Sequence, residues 1–371
     1  METAGERPQP RIWLVLGDKL GDNAQVRRVA RALGRPFEEK NLVFLPKFRQ
    51  GKPTFRPSLD HVDREASDPL EPPWPDLILT SGSRPSMVAL WIKQRSRGKT
   101  RLAIIGRPKR MLNRFDLAVV PSQYIMPISP RVLPLDFPLM EVDRSRLEAA
   151  RAAWADRLSR MPRPLTAVLV GGPTQPFRMD ENVAQDLAQR LSRLIAQDGG
   201  SLYITTSRRT PSEVVSALGR SLPASSELFM WGPESADNPY LGLLAHADRF
   251  VVTGDSVSML VEVARLGRPL AIYELPVRAG SWKRRLAAGL QKPPWRSISS
   301  FFRRFCGLDL LGFPRDITRI HRKLERRGAA VAFGEPFPLG GAGLEDELEV
   351  VVDRVRELLA ADGPAEQESS Q

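Results

Sequence analysis

Two carboxylates, Asp18 and Asp22, sit in the segment Gly17-Asp18-Lys19-Leu20-Gly21-Asp22-Asn23-Ala24-Gln25, directly after the apolar run Ile12 to Leu16. A carboxylate in a loop that follows a strand can take the proton of an acceptor hydroxyl as a general base. The same residues are also turn formers, because Asp and Asn bond their own backbone. The spacing leaves both readings open. The two glycines allow a tight turn and a close approach of backbone to ligand. They do not make G-x-G-x-x-G, so no bound dinucleotide is expected.

A second group of residues has the character of a phosphate and ribose site. Gly171-Gly172-Pro173-Thr174, Thr206-Ser207-Arg208-Arg209 and Thr253-Gly254-Asp255-Ser256 each follow an apolar run. Exposed amides at Gly171 and Gly172 can contact a diphosphate. One of the two arginines, Arg208 or Arg209, can pair with phosphate oxygens or simply make surface salt bridges. After Ser256 a helical pattern begins. Val257, Leu260, Val261 and Ala264 follow the i, i+3, i+4, i+7 spacing of a buried face. Asp255, Ser258, Met259 and Glu262 follow it on another face. Glu262 thus lies about two turns inside the helix, where its carboxylate can accept from ribose hydroxyls while the helix start receives a diphosphate. The plainer alternative is that Asp255 or Ser256 is only the helix N-cap.

These loops need strands and helices to hold them. The first half of the chain alternates strands at Ile12–Leu16, Asn41–Leu45, Asp76–Thr80, Arg101–Ile105 and Phe115–Val120 with helices, notably from Pro85 to Lys93. Residues 50–75 read as a long loop. An Ala- and Arg-rich helix, Ser145 to Arg160, is followed by Met161-Pro162-Arg163-Pro164. A second alternation follows: strands at Leu165–Val170, Ser201–Thr205 and Leu228–Trp231, helices at Asn182–Ala196 and Tyr240–Ala247, then the Thr253–Glu262 unit. Such alternation predicts doubly wound parallel sheets. The expected organisation is a first α/β domain over residues 1–145, a linker helix over 146–164, and a second α/β domain over 165–335. A C-terminal helix and polar tail fill 336–371. Two similar Rossmann-like domains facing each other across a cleft are expected to take a ligand between them.

Composition narrows the function classes. The chain of 371 residues carries a net charge of +12, which favours anionic partners. No nucleic-acid-binding module is recognisable, so nucleic acid is not expected. The single Cys306 excludes an internal disulfide framework and fits a reducing compartment. His61, His246 and His321 are far apart in sequence and no paired cysteines exist, so no metal site is expected. No run approaches the ~20 apolar residues of a membrane span. The first apolar stretch is too short for a signal peptide and reads as a strand. The expectation is a cytoplasmic protein. Residues 282–327 are strongly basic and interleaved with Trp295, Ile298, Phe301, Phe302 and Phe305. That stretch reads either as a face for the anionic inner surface of the cytoplasmic membrane, making the protein peripheral, or as core.

Five segments resemble one family: Gly17–Gln25, Val168–Pro173, Thr205–Pro211, Asn238-Pro239-Tyr240 and Val252–Met259. On them the chain is identified as a bacterial member of the family named after the plant mitochondrial fission factor "elongated mitochondria". The resemblance covers about residues 10 to 335, and Thr-Gly-Asp-Ser-Val-Ser-Met is its most specific part. It implies similarity to two-domain, metal-independent glycosyltransferases of the GT-B architecture, with a nucleotide sugar as donor substrate and no separate cofactor. It also implies that Glu262 holds the ribose; together with the loop reading above, the expected donor contacts are Gly171, Gly172, Thr206, Ser207, Arg208, Gly254, Asp255, Ser256, Ser258 and Glu262. Asp18 or Asp22 would be the base. Family members often carry His where this chain has Asp22, so a His-based role does not transfer. Some bacterial members are labelled sugar-nucleotide epimerases, a label the missing dinucleotide fingerprint speaks against. The plant namesake's recruitment of a fission dynamin implies a second function, a non-catalytic membrane adaptor.

Overall fold

A computed structural model describes residues 9–49, 56–223, 225–232, 237–278, 315–338 and 343–360. The aromatic residues Trp295 to Phe305, on which the membrane-surface expectation chiefly rests, lie outside them. The elements run β1 Ile12–Leu16, α1 Leu20–Ala32, β2 Glu38–Asn41, β3 Val43–Phe44, α2 Pro46–Arg49, β4 Val62–Asp63, β5 Leu77–Thr80, α3 Ser83–Arg95, β6 Arg101–Ile105, β7 Leu117–Pro121, β8 Val132–Leu135 and α4 Arg144–Ser159. They continue with β9 Leu165–Val170, α5 Glu181–Asp198, β10 Ser201–Thr206, α6 Ser212–Ser221, β11 Ser226–Phe229, α7 Tyr240–His246, β12 Arg249–Thr253, α8 Val257–Arg265, β13 Leu270–Tyr273, α9 Thr318–Arg326, β14 Val331–Ala332 and α10 Leu348–Ala360.

The chain forms two α/β units, each built on a six-stranded parallel sheet. The first sheet has the order β2-β1-β5-β6-β7-β8 and the second β11-β10-β9-β12-β13-β14. Strands covered on both faces read as unbroken apolar runs, which is why their sequences are so legible. In β1, Ile12, Leu14 and Leu16 pack with α1 and α10 on one face, while Trp13 and Val15 pack with α3 on the other. This alternation is the two-residue period of a strand.

Three sequence expectations change. The second strand of the first sheet is Glu38–Asn41, not Asn41–Leu45; Val43–Phe44 instead pairs antiparallel with Val62–Asp63. Glu38–Asn41 is an edge strand, so it pairs on one side only and carries polar residues. Glu39 takes a two-pronged bond from Arg27 at 2.8 and 2.7 Å, and Lys40 lies 4.6 Å from the Trp13 ring centroid. The expected linker helix belongs to the second unit. Its start is capped by the Asp143 side chain, and its Trp154 packs on Gly242 of α7, where a Cβ would lie 2.4 Å from the indole. The last helix returns to the first unit, burying Val351, Val352 and Val355 in that core. No helix among the described residues is long and apolar enough to cross a membrane.

Candidate functional site

Strand order places the candidate loops. In the first unit the chain leaves β1 for β2 on one side, then crosses to β5 on the other. In the second it leaves β9 for β10 and β11, then crosses to β12. The loops after β1 and β5, and those after β9 and β12, therefore stand at the point where strand order reverses, at the carboxyl edge of each sheet. Open α/β sheets bind ligands there.

In the second unit these loops and the loop after β10 form one hydrogen-bonded cluster. Gly171 N donates to Thr253 Oγ1 at 2.8 Å, and Gly172 N to Asp255 Oδ2 at 2.9 Å. Thr253 Oγ1 donates to Asp255 Oδ1 at 2.8 Å. Thr210 Oγ1 donates to the Gly171 carbonyl at 2.5 Å and accepts from Ser207 N at 2.8 Å. Arg209 reaches over the cluster: Nη1 donates to Thr174 Oγ1 at 2.8 Å, and Nη2 lies 3.8 Å from Asp255 Oδ2. Both glycines are required by contact. A Cβ at Gly171 would lie 2.3 Å from Asp255 Oδ2, and one at Gly172 would lie 2.5 Å from the Arg209 carbonyl oxygen. Asp255 is buried, and burial raises its pKa against the bonds from Thr253 and Gly172 and the charge of Arg209.

Helix α8 starts on this cluster. Its first turn has no side-chain cap and no acidic residue. The first backbone bond into the helix is from Leu260 N to Ser256 O at 3.1 Å. The amides of Val257, Ser258 and Met259 precede it, and such first-turn amides have no partner within a helix. An uncapped helix start is an anion site by its dipole and its N–H groups. Two turns on, the half-buried Glu262 accepts a hydrogen bond from the Tyr240 hydroxyl at the start of α7. Burial raises the Glu262 pKa, and the Tyr240 bond opposes it.

Each unit braces the loop after its second central strand with a buried histidine. His321 Nε2 lies 2.7 Å from the Gly254 carbonyl oxygen, and His61 Nε2 lies 3.1 Å from that of Arg84. A carbonyl only accepts, so each Nε2 carries the proton and donates. His321 stacks on Phe177 at 6.4 Å between ring centroids, and His61 on Phe44 at 5.6 Å. Burial holds both imidazoles below their ordinary pKa.

The first unit's loops enclose an open polar pocket of about 230 Å³, lined by Asp18, Lys19, Asp22, Ser83, Arg84 and Lys109 among others. Asp18 Oδ2 is 3.8 Å from Arg84 Nη1, and Asp22 Oδ2 is 3.9 Å from Lys19 Nζ. Burial raises the Asp22 pKa; Lys19 and Arg315 oppose that rise and Asp18 adds to it. A carboxyl shifted upward is better matched to proton transfer near neutral pH. Asn23 holds the loop from below: Nδ2 donates to Gly17 O at 2.8 Å and Oδ1 accepts from Gly17 N at 3.3 Å.

Comparison with known proteins agrees with the motif reading. Residues 21–292 match the family model described as "Mitochondrial fission ELM1". The chain belongs to the mitochondrial fission ELM1 family. A curated relative, the Arabidopsis thaliana "Mitochondrial fission protein ELM1", is 29% identical over 231 residues. That alignment takes in 56% of this chain and 53% of the Arabidopsis protein, so the chain spans about half the length of that relative. An uncharacterised Rickettsia prowazekii protein, RP120, is 24% identical over 300 residues, 71% of this chain and 83% of that one. Among solved structures, the S. aureus MnaA–UDP co-structure has 11% identity and a TM-score of 0.47, covering 96% of this chain and 99% of that one. Likeness at that level decides nothing here; the fold rests on the two sheets themselves.

Within this ELM1-family chain the expected donor residues divide. Gly171, Gly172, Ser207, Gly254 and Asp255 come together at the β9/β12 crossover, with Ser256, Ser258 and Glu262 following on α8 or its start. Several, however, use their polar groups on each other. The Gly171 and Gly172 amides and the Asp255 carboxylate have internal partners, and Gly254 is held by His321 and by Tyr273 O at 2.9 Å. Thr206 is buried and its hydroxyl bridges to β11 and Trp231 N. Neither Asp255 nor Ser256 caps α8 with its side chain. Arg208 is exposed, and it is Arg209 that joins the cluster. Asp18 and Asp22 share the first unit's pocket. Sequence reading missed the bracing roles of His61, His321 and Asn23 and the partner Tyr240. The segment Asn238-Pro239-Tyr240 was the one visible signal for the last of these.

Proposed function

We propose that this chain is a glycosyltransferase-like enzyme whose second unit holds a nucleoside diphosphate sugar and whose acceptor is an envelope or lipid-linked hydroxyl. The observation that carries the reading is the uncapped first turn of α8 at the β9/β12 crossover. Arg209 beside that turn and Glu262 two turns inside it suit a diphosphate and a ribose. In the reaction the bond from the sugar's anomeric carbon to the diphosphate breaks, and a bond to the acceptor oxygen forms. The acceptor's proton passes to Asp22 or Asp18. The α8 amides and Arg209 stabilise the departing diphosphate. Calorimetry with UDP, GDP and CMP tests the donor assignment. Glu262→Ala is expected to weaken nucleotide binding about tenfold or more, the scale of a bond to a charged acceptor. Equal affinity in the variant sinks it.

A second reading, a non-catalytic adaptor at an anionic membrane surface, is favoured by one observation: the Gly171 and Gly172 amides already have partners inside the protein. It predicts liposome binding without nucleotide binding or turnover.

A further inference from the structure

We infer that Tyr240 is a positioning residue that fixes the Glu262 carboxylate and thereby selects ribonucleotides over deoxyribonucleotides. This rests on the nucleotide reading of the second unit. Tyr240 is the first residue of α7, and that start is fixed locally. Its backbone N–H donates to Asn238 Oδ1 at 3.0 Å, and Pro239 precedes it. Two residues on, Gly242 lies so close to Trp154 of α4 that a Cβ would sit 2.4 Å from the ring. The helix therefore has little freedom to rotate about its axis, and the phenol is held where it stands.

The Tyr240 hydroxyl donates to Glu262 Oε2. Burial above all, and then the Glu262 charge, pushes the Tyr240 pKa well above its ordinary value, so the proton stays on the phenol. The bond therefore has one direction. A glutamate two turns into a helix would otherwise sample several rotamers, each of which a ligand must select at an entropic cost. With Oε2 engaged, the carboxylate plane is set and Oε1 receives no bond from the described residues. A fixed carboxylate oxygen with open lone pairs fits a hydroxyl donor. On the face shared with Ser258 and Met259, two turns from the phosphate end, the matching donor is a ribose hydroxyl. A deoxyribonucleotide leaves that oxygen without a partner.

The test compares Kd for UDP and GDP with Kd for their 2′-deoxy and 3′-deoxy forms, in the wild type and in Tyr240→Phe. The substitution keeps the ring and removes only the donor. The wild type is expected to prefer at least one ribonucleotide over a deoxy form by about tenfold, and Tyr240→Phe to bring that ratio close to one. A lost packing contact would weaken all ligands alike and leave the ratio standing. A folded Tyr240→Phe with an unchanged ratio overturns the inference while the nucleotide site stands. So does a wild type that binds UDP or GDP without preferring ribose. A wild type that binds neither overturns the nucleotide reading and this inference with it. Should Tyr240→Phe not fold, Glu262→Gln replaces it. That variant keeps the side-chain shape but removes the charge that draws the hydroxyl, and an unchanged ratio there also overturns the inference.

Discussion

The crossover of the first sheet and that of the second share one plan and spend their polar groups in opposite ways. Each has a glycine directly after its first strand, Gly17 or Gly171, and each has a buried histidine under the next loop. In the second unit Asp255 turns inward, ties the β9 loop to the β12 loop, and leaves the first turn of α8 without a side-chain cap. In the first unit the carboxylates Asp18 and Asp22 line the pocket, Asp18 at 3.8 Å from Arg84 and Asp22 at 3.9 Å from Lys19. A carboxylate that braces a loop must be buried and bonded. One that exchanges protons with a ligand must stay reachable. The same residue type at the same edge of the same fold thus serves stability in one unit and remains available for chemistry in the other.

Substitutions can break this contrast. Gly172→Ala is expected to have the largest effect, a loss of about 3 kcal/mol in urea unfolding, because its Cβ meets Arg209 backbone that cannot swing aside. Gly21→Ala in α1, with nothing within 4 Å of the added Cβ, is expected to be neutral or mildly stabilising. Next, Asp255→Ala leaves the buried Gly172 N–H without its acceptor and should cost about 2 kcal/mol. Asp22→Ala should change stability by no more than about 0.5 kcal/mol while altering any turnover. Equal costs for the two aspartates would end the distinction between bracing and available carboxylates.

The smallest effect concerns what the two units share. Both bracing histidines are neutral in the folded state, with pKa values lowered by burial. Unfolding lets them return to about 6.5 and take up protons. Their contribution to stability is therefore full above about pH 7, and it is lost as pH falls through about 6.5 toward the depressed folded values. The raised carboxyls Asp22, Asp255 and Glu262 work the other way. Their contribution is present below about pH 4 and is lost as pH rises through their folded values. Melting temperature against pH, compared between wild type and His321→Gln, isolates the histidine part. The variant should show the shallower slope between pH 5 and 7, and parallel curves would refute the assignment.

Much of this architecture is visible in the chain itself. The strands at residues 12–16, 77–80, 101–105, 165–170 and 201–206 are mostly apolar, and every residue in them but Arg101 is buried, because both faces of each sheet are covered; the buried stripe of α8 follows from its periodicity. The edge strand Glu38–Asn41 escaped notice because an edge needs no apolar run. The Arg208-Arg209 pair carried no local mark to separate its members, since Thr174, 35 residues away, and Asp255 decide between them.

Sequence alone therefore determined the α/β class, the glycine-bearing loops and the two faces of α8. All three follow from burial patterns and backbone permissiveness, which act over a few residues. Tertiary structure decided which carboxylate turns inward, which arginine joins the cluster, and that α4 and α10 belong to units the linear order did not indicate. It also made His61 and His321 into loop braces and Tyr240 the partner of Glu262. Each of these depends on a contact between residues distant in the chain. Such a contact is fixed by the strand order of the sheet and leaves no periodic trace in the sequence.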